Sequence, residues 1–112
     1  MNTRCSLALA TLLALALAAL PACRPADPSR IDAVLALSGT ASSGAAVYTR
    51  ACASCHDEDG NGTSQPMSSL VPAEDEQGLA QVVAGGTHVP ASAMTDQEAA
   101  DLIAYLRQTW PG

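Results

Sequence analysis

Five consecutive residues, Cys52-Ala53-Ser54-Cys55-His56, constrain this chain more than any other feature. Two thiols three positions apart, with an imidazole directly after the second, form the C-x-x-C-H pattern of covalent haem attachment. The chemistry explains the spacing: the two sulfurs reach two vinyl groups on one edge of a porphyrin, and the following His swings under the ring to bind iron. On this reading Cys52 and Cys55 carry thioethers to one haem c, and His56 is the proximal iron ligand. Two other chemistries use similar residues. A thioredoxin-like redox pair also reads C-x-x-C but needs a βαβ context, and no strand pattern flanks this one. Cys52, Cys55, His56 and His88 together offer four zinc ligands, although the adjacent Cys55 and His56 suit one tetrahedral site poorly.

The start of the chain agrees with haem attachment outside the cytoplasm. Residues 1–22 read as a secretory signal, with Arg4 in a short basic region and a Leu/Ala run from Leu7 to Leu20. That run is too short and too rich in Ala for a membrane span. It ends at Leu20-Pro21-Ala22-Cys23, which resembles a bacterial lipobox except for Pro21, where a small or β-branched residue is usual. Lipidation of Cys23 is therefore expected; ordinary cleavage after Ala22 would leave it a stray thiol. All four cysteines are then accounted for without a disulfide: Cys5 leaves with the signal, Cys23 takes lipid, and Cys52 and Cys55 take haem. Arg24, standing where an Asp would retain a lipoprotein at the inner membrane, points by resemblance to that sorting rule to the outer membrane of a Gram-negative host. The expected location is periplasmic, with an N-terminal lipid anchor in the membrane.

Three regions follow: a signal at 1–22, a tether with a short helix at 23–41, and a haem domain at 42–112. A domain that small buries a marginal core. Phe is absent, and Tyr48, Tyr105 and Trp110 are the only aromatic residues. A covalently held apolar macrocycle would supply the missing volume. The formal charge is −6, and removal of the signal takes the five basic residues to four against eleven acids. Such a surface disfavours nucleic acid and anionic lipid, and steers the protein towards a redox partner with a basic docking patch.

Helical patterns account for the rest. Arg24 to Ser29 has the prolines of a tether, and Ser29 is placed to cap a helix through Leu37 with Ile31, Val34 and Leu35 on one face. This helix either packs on the domain or presents it at a membrane. Gly44, Tyr48 and Cys52 share a face of a helix over 44–51; Gly44 either admits a close helix neighbour or simply begins the helix. Asp57 to Gly62 reads as a solvated loop, since it lacks the ligand pattern of a calcium loop. A helix over 74–84 carries acids in its first turn and Leu79, Val82 and Val83 as its buried stripe, with Gly85-Gly86 as its stop. Thr95-Asp96-Gln97-Glu98 is a capping box, with Met94 as its hydrophobic staple. Ala99, Leu102, Ile103 and Leu106 then form one apolar face, and Pro111 ends the helix. No strand pattern and no internal repeat appear.

From about residue 42 to 112 the chain resembles a class I cytochrome c in its small, monohaem bacterial form. The resemblance rests on Gly44 and Tyr48, the Cys52 to His56 motif, the short middle helix and the Thr95–Trp110 helix. It implies an all-α, cytochrome c-like fold of three to four short helices wrapped around one covalently attached haem. Gly44 and Tyr48 of the first helix would cross Leu102, Tyr105 and Leu106 of the last. It also implies that the Pro66 carbonyl accepts the Nδ1–H of His56 and so fixes the orientation of that ring. The family's distal ligand is a Met directly before a Pro. Here Val89 precedes Pro90, and Val cannot ligate iron. Four outcomes stay open at the sixth position: His88 by a one-residue slip, Met94 by rearrangement of the loop, Met67, or no protein ligand.

The function expected is carriage of single electrons between redox partners, with no substrate chemistry of the protein's own. An open sixth position would instead suit a gas- or peroxide-responsive haem protein or weak peroxidase, although residues 86–94 contain no Arg or acid to polarise a bound peroxide. A third reading is a haem subunit fixed on a larger membrane oxidoreductase.

Overall fold

The computed structural model describes residues 27–112. The expected signal, Cys5, Cys23 and Arg24 lie outside the described residues, as does the first part of the expected tether. Helices α1 (Pro28–Leu35), α2 (Ala41–Ala51), α3 (Ala53–His56), α4 (Met67–Ala73), α5 (Glu76–Ala84) and α6 (Asp96–Thr109) follow in order, with a 3-10 turn at Ala91–Ala93. No strand occurs among the described residues, so the architecture is all-α as expected. No helix among them is long and apolar enough to cross a membrane.

The main contact is α2 against α6. A β-carbon on Gly44 would collide with the Asp101 carbonyl oxygen and lie 2.7 Å from the Tyr105 β-carbon. Gly44 therefore admits a close neighbour, the first of its two readings. Gly39 meets the Ala100 carbonyl oxygen in the same way. Tyr48 and Leu102 are fully buried in this crossing. The Tyr48 ring lies 5.5 Å from Tyr105 and 5.4 Å from Trp110, tilted in both cases as aromatic quadrupoles prefer. The α2 N-terminus has no side-chain cap of its own. Asp101 serves it from α6, accepting the Thr40 N–H at 2.8 Å and the Gln97 amide at 3.0 Å.

The expected capping box of α6 is formed in both directions: Thr95 accepts from Glu98 N–H, and the Glu98 carboxylate accepts from Thr95 N–H. That backbone donor, with Arg50 beside it, holds the Glu98 carboxyl below its ordinary range. Met94, directly before the cap, is buried. At the far end Arg107 ties α4 and α5 to α6, donating to the Val71 and Glu74 carbonyls and pairing with Glu76.

Helix α1 packs on α5 and α6, which resolves its two readings. Its cap is Asp27, whose carboxylate accepts from Ser29 and Arg30 N–H, with Pro28 at the first turn; Ser29 is inside the helix, not at its cap. Ile31 and Val34 are buried while Leu35 is exposed, so the apolar face is narrower than the pattern implied. Arg30 fixes the helix by donating to Asp96 (2.9 Å), the Ala84 carbonyl (3.1 Å) and the Met94 carbonyl (2.6 Å). Two helices were not expected from periodicity: the single turn α3, and α4, whose Ser68-Ser69 and internal Pro72 hide the pattern.

Candidate haem site

The motif sits where α2 breaks. Cys52 caps α2 with non-helical dihedrals and simultaneously starts α3, so its carbonyl accepts from both Cys55 and His56 N–H. That single turn carries Cys55 and His56 round relative to Cys52. Asp57 then reverses the chain with φ +58° and ψ 165°, a region that costs a side-chain-bearing residue about 1–3 kcal/mol. The conformation is held from outside, because the buried Tyr48 hydroxyl donates to the Asp57 carbonyl at 2.7 Å. The following loop folds back beneath the motif, with Gly62 N–H on the His56 carbonyl at 2.9 Å. A β-carbon at Gly62 would lie 2.5 Å from the Cys55 carbonyl oxygen, so a larger residue would displace the turn.

Above α3 opens a mostly apolar cavity of about 620 Å³, well within the range of cofactor sites. Cys52, Cys55 and His56 line one wall. Met67, Leu70 and Val71 of α4, Leu79, Val82 and Val83 of α5, and Leu102 and Leu106 of α6 form the apolar surround. His88, Val89 and Pro90 close it from the loop after α5. Val82, expected to be buried in the stripe of α5, is exposed, because that position faces the cavity and not α6; Ala80 and Ala84 are buried with Leu79 and Val83 instead.

The sixth-position candidates separate in space. His88 and Val89 line the cavity, and so does Met67, whose N–H bonds the Gly60 carbonyl in the loop following His56. Met94 does not line it and is packed in the core, with its carbonyl taken by Arg30. Pro66 is the N-cap of α4, and its carbonyl accepts from Ser69 and Leu70 N–H. The expected bond from His56 to that carbonyl is not formed: His56 Nδ1 is buried without any hydrogen-bond partner.

These observations weigh against the two non-haem readings of the motif. Burial pushes the Cys52 thiol up to about 11, the opposite of the depressed thiol of a redox-active C-x-x-C pair. Among the described residues no three His, Cys, Asp or Glu side chains converge to hold a metal ion, which leaves the proposed zinc set without a site. Two free thiols, an imidazole with an unsatisfied buried nitrogen, and an apolar cavity of this volume do fit a covalently attached haem.

An all-helical domain that sets C-x-x-C-H against such a cavity is a cytochrome c domain. Residues 39–106 match the family described as "cytochrome C oxidase, cbb3-type, subunit III", and the chain belongs to this cytochrome c family. Membership implies covalently bound haem c and a role in electron transport. The chain is also similar to the "alcohol dehydrogenase (quinone), cytochrome c subunit" of Gluconobacter oxydans (strain 621H), at 34% identity over 103 residues that cover 75% of this chain. It spans only 22% of that relative's length. No solved structure matches the chain.

Proposed function

We propose that this protein is an exported, class I-type monohaem cytochrome c that passes single electrons between redox proteins. The observation that carries the reading is the convergence of Cys52, Cys55 and His56 on one wall of the apolar cavity. Cys52 and Cys55 would anchor the haem through thioethers, and His56 would be its proximal ligand. The haem supplies a one-electron iron couple. The rest is the work of the chain. Leu70, Leu79, Val83, Leu102 and Leu106 exclude water from the site, which keeps the reorganisation accompanying electron transfer small. The turn through Asp57, held by Tyr48, fixes the direction from which His56 approaches.

The N-terminal expectations extend the proposal: cleavage of 1–22, lipid on Cys23, and a periplasmic domain tethered at the outer membrane. The acidic surface suits a partner with a basic patch. A second reading, in which the chain is a docked subunit and not a free shuttle, is favoured by the similarity to a dehydrogenase cytochrome c subunit. Reversible redox titration tests the main proposal. Oxidised and reduced spectra should interconvert through a single one-electron step, in solution and without a bound enzyme. Two or more steps would contradict the monohaem reading, and co-purification in fixed ratio with a larger oxidoreductase would establish the second.

A further inference from the structure

His56 and His88 both line the cavity, and their rings lie with centroids 6.2 Å apart and planes inclined at 58°. A metal–imidazole bond is about 2.0–2.1 Å, and the centre of a five-membered ring lies about 1 Å behind its nitrogen. Two imidazoles on opposite sides of one metal ion therefore have centroids about 6 Å apart. From this match we propose that His88 supplies the second axial nitrogen, giving the haem iron two histidine ligands and no sulfur ligand. The inference rests on the haem reading above and sharpens it.

The surroundings point the same way. The loop that bears His88 is framed by fixed points. Gly85 ends α5, Gly86 turns the chain with φ +79°, and Pro90 leads into the 3-10 turn at Ala91–Ala93. The residue in the usual Met position, Val89, lines the cavity but has no donor atom. Met94 is absent from the cavity wall, and Met67, which lines it, has its backbone tied to the loop that follows His56, on that ligand's side of the site. His88 is an exposed side chain on the cavity wall, so little packing has to be given up for it to bind. With both axial positions filled by the chain, small gases and peroxides have no open site. Loss of the Met ligand lowers the potential relative to His/Met ligation.

The test uses the full-length holoprotein and its His88→Ala and His88→Met variants. Covalent haem is read first, from the denatured, pyridine-treated spectrum, which is independent of the sixth ligand. The wild type should then be low-spin in the ferric state, lack the near-red band of sulfur ligation, and take up no carbon monoxide when reduced. His88→Ala should become high-spin and bind one carbon monoxide per haem, and added imidazole should return it to low spin. His88→Met should gain the near-red band and a higher midpoint potential. A high-spin wild type, a near-red band in the wild type, or a His88→Ala protein that stays low-spin would each overturn the assignment while leaving the haem reading intact. Absence of covalent haem from the wild type would overturn both. Should His88→Ala fail to accumulate, the wild-type spectra and carbon monoxide response decide the question alone.

Discussion

Gly44→Ala tests the helix crossing on which the site is built. A β-carbon there would lie 2.5 Å from the Asp101 carbonyl carbon and 2.7 Å from the Tyr105 β-carbon, and closer still to the Asp101 carbonyl oxygen. Carbon atoms pack at about 3.5–4.0 Å, so α2 and α6 must separate by about 1 Å. Neither Asp101 atom can rotate away, because both are main chain. Overpacking of this kind costs about 1–3 kcal/mol, and the rigid partner places it near 3. Alanine returns about 1 kcal/mol of helix propensity, leaving a net loss of about 2 kcal/mol. For a domain of this size each kcal/mol moves Tm by about 4–8 °C, so the holoprotein should melt about 8–16 °C lower. Cys52 ends α2, and Leu102 and Leu106 of α6 line the same cavity, so haem loading should fall as well. Thermal unfolding and haem content per chain measure the two effects. A Gly44→Ala protein as stable as the wild type, or more so, would refute the close-crossing argument.

Three further outcomes follow from named contacts. Arg30→Ala removes two carbonyl hydrogen bonds and an ion pair. The ion pair is discounted because Asp96 is half exposed, so the loss should be about 2 kcal/mol. It should appear as faster hydrogen exchange in residues 31–35, with the α6 amides less affected. Asp57→Gly should raise Tm by about 4–8 °C, since it relieves the positive-φ strain for a net gain of about 1 kcal/mol; a lower Tm would mean the turn is unstrained. Tyr48→Phe loses one buried hydrogen bond, about 0.5–1.5 kcal/mol near neutral pH. Burial pushes the Tyr48 phenol up to about 12, so the fold favours its neutral form. Its contribution is complete below the unfolded value of about 10 and is lost as pH rises from there towards 12. Urea unfolding at increasing alkaline pH should therefore show the gap between wild type and Tyr48→Phe shrinking.

The parts of this fold legible in the sequence were those written in local chemistry. The Thr95/Glu98 capping box, the apolar face of α6 and the Gly85-Gly86 stop all depend on residues within a turn or two of one another. The motif itself is of that kind. What escaped was decided by distant partners or by the cavity. Nothing near Thr40 announces that Asp101 caps α2, and nothing near Arg30 or Arg107 names the carbonyls they hold. Asp27 displaced Ser29 as a cap because Pro28 takes the first helical position and leaves Asp27 the non-helical one. Val82 sits on the periodic stripe of α5, but that stripe is wide enough to serve two surfaces, the α6 contact and the cavity wall. The sixth position stays open in the sequence among His88, Met94, Met67 and no protein ligand for the same reason: only the fold shows that His88 and Met67 line the cavity and Met94 does not.

Intact mass decides whether one haem is held through Cys52 and Cys55. The protein, expressed in a host with haem-attachment machinery and freed of non-covalent ligands by denaturation, should carry the added mass of one haem per chain. Replacing both cysteines with alanine should abolish that addition. A wild-type chain with no added mass, two haems, or a haem retained after loss of both cysteines would contradict the account.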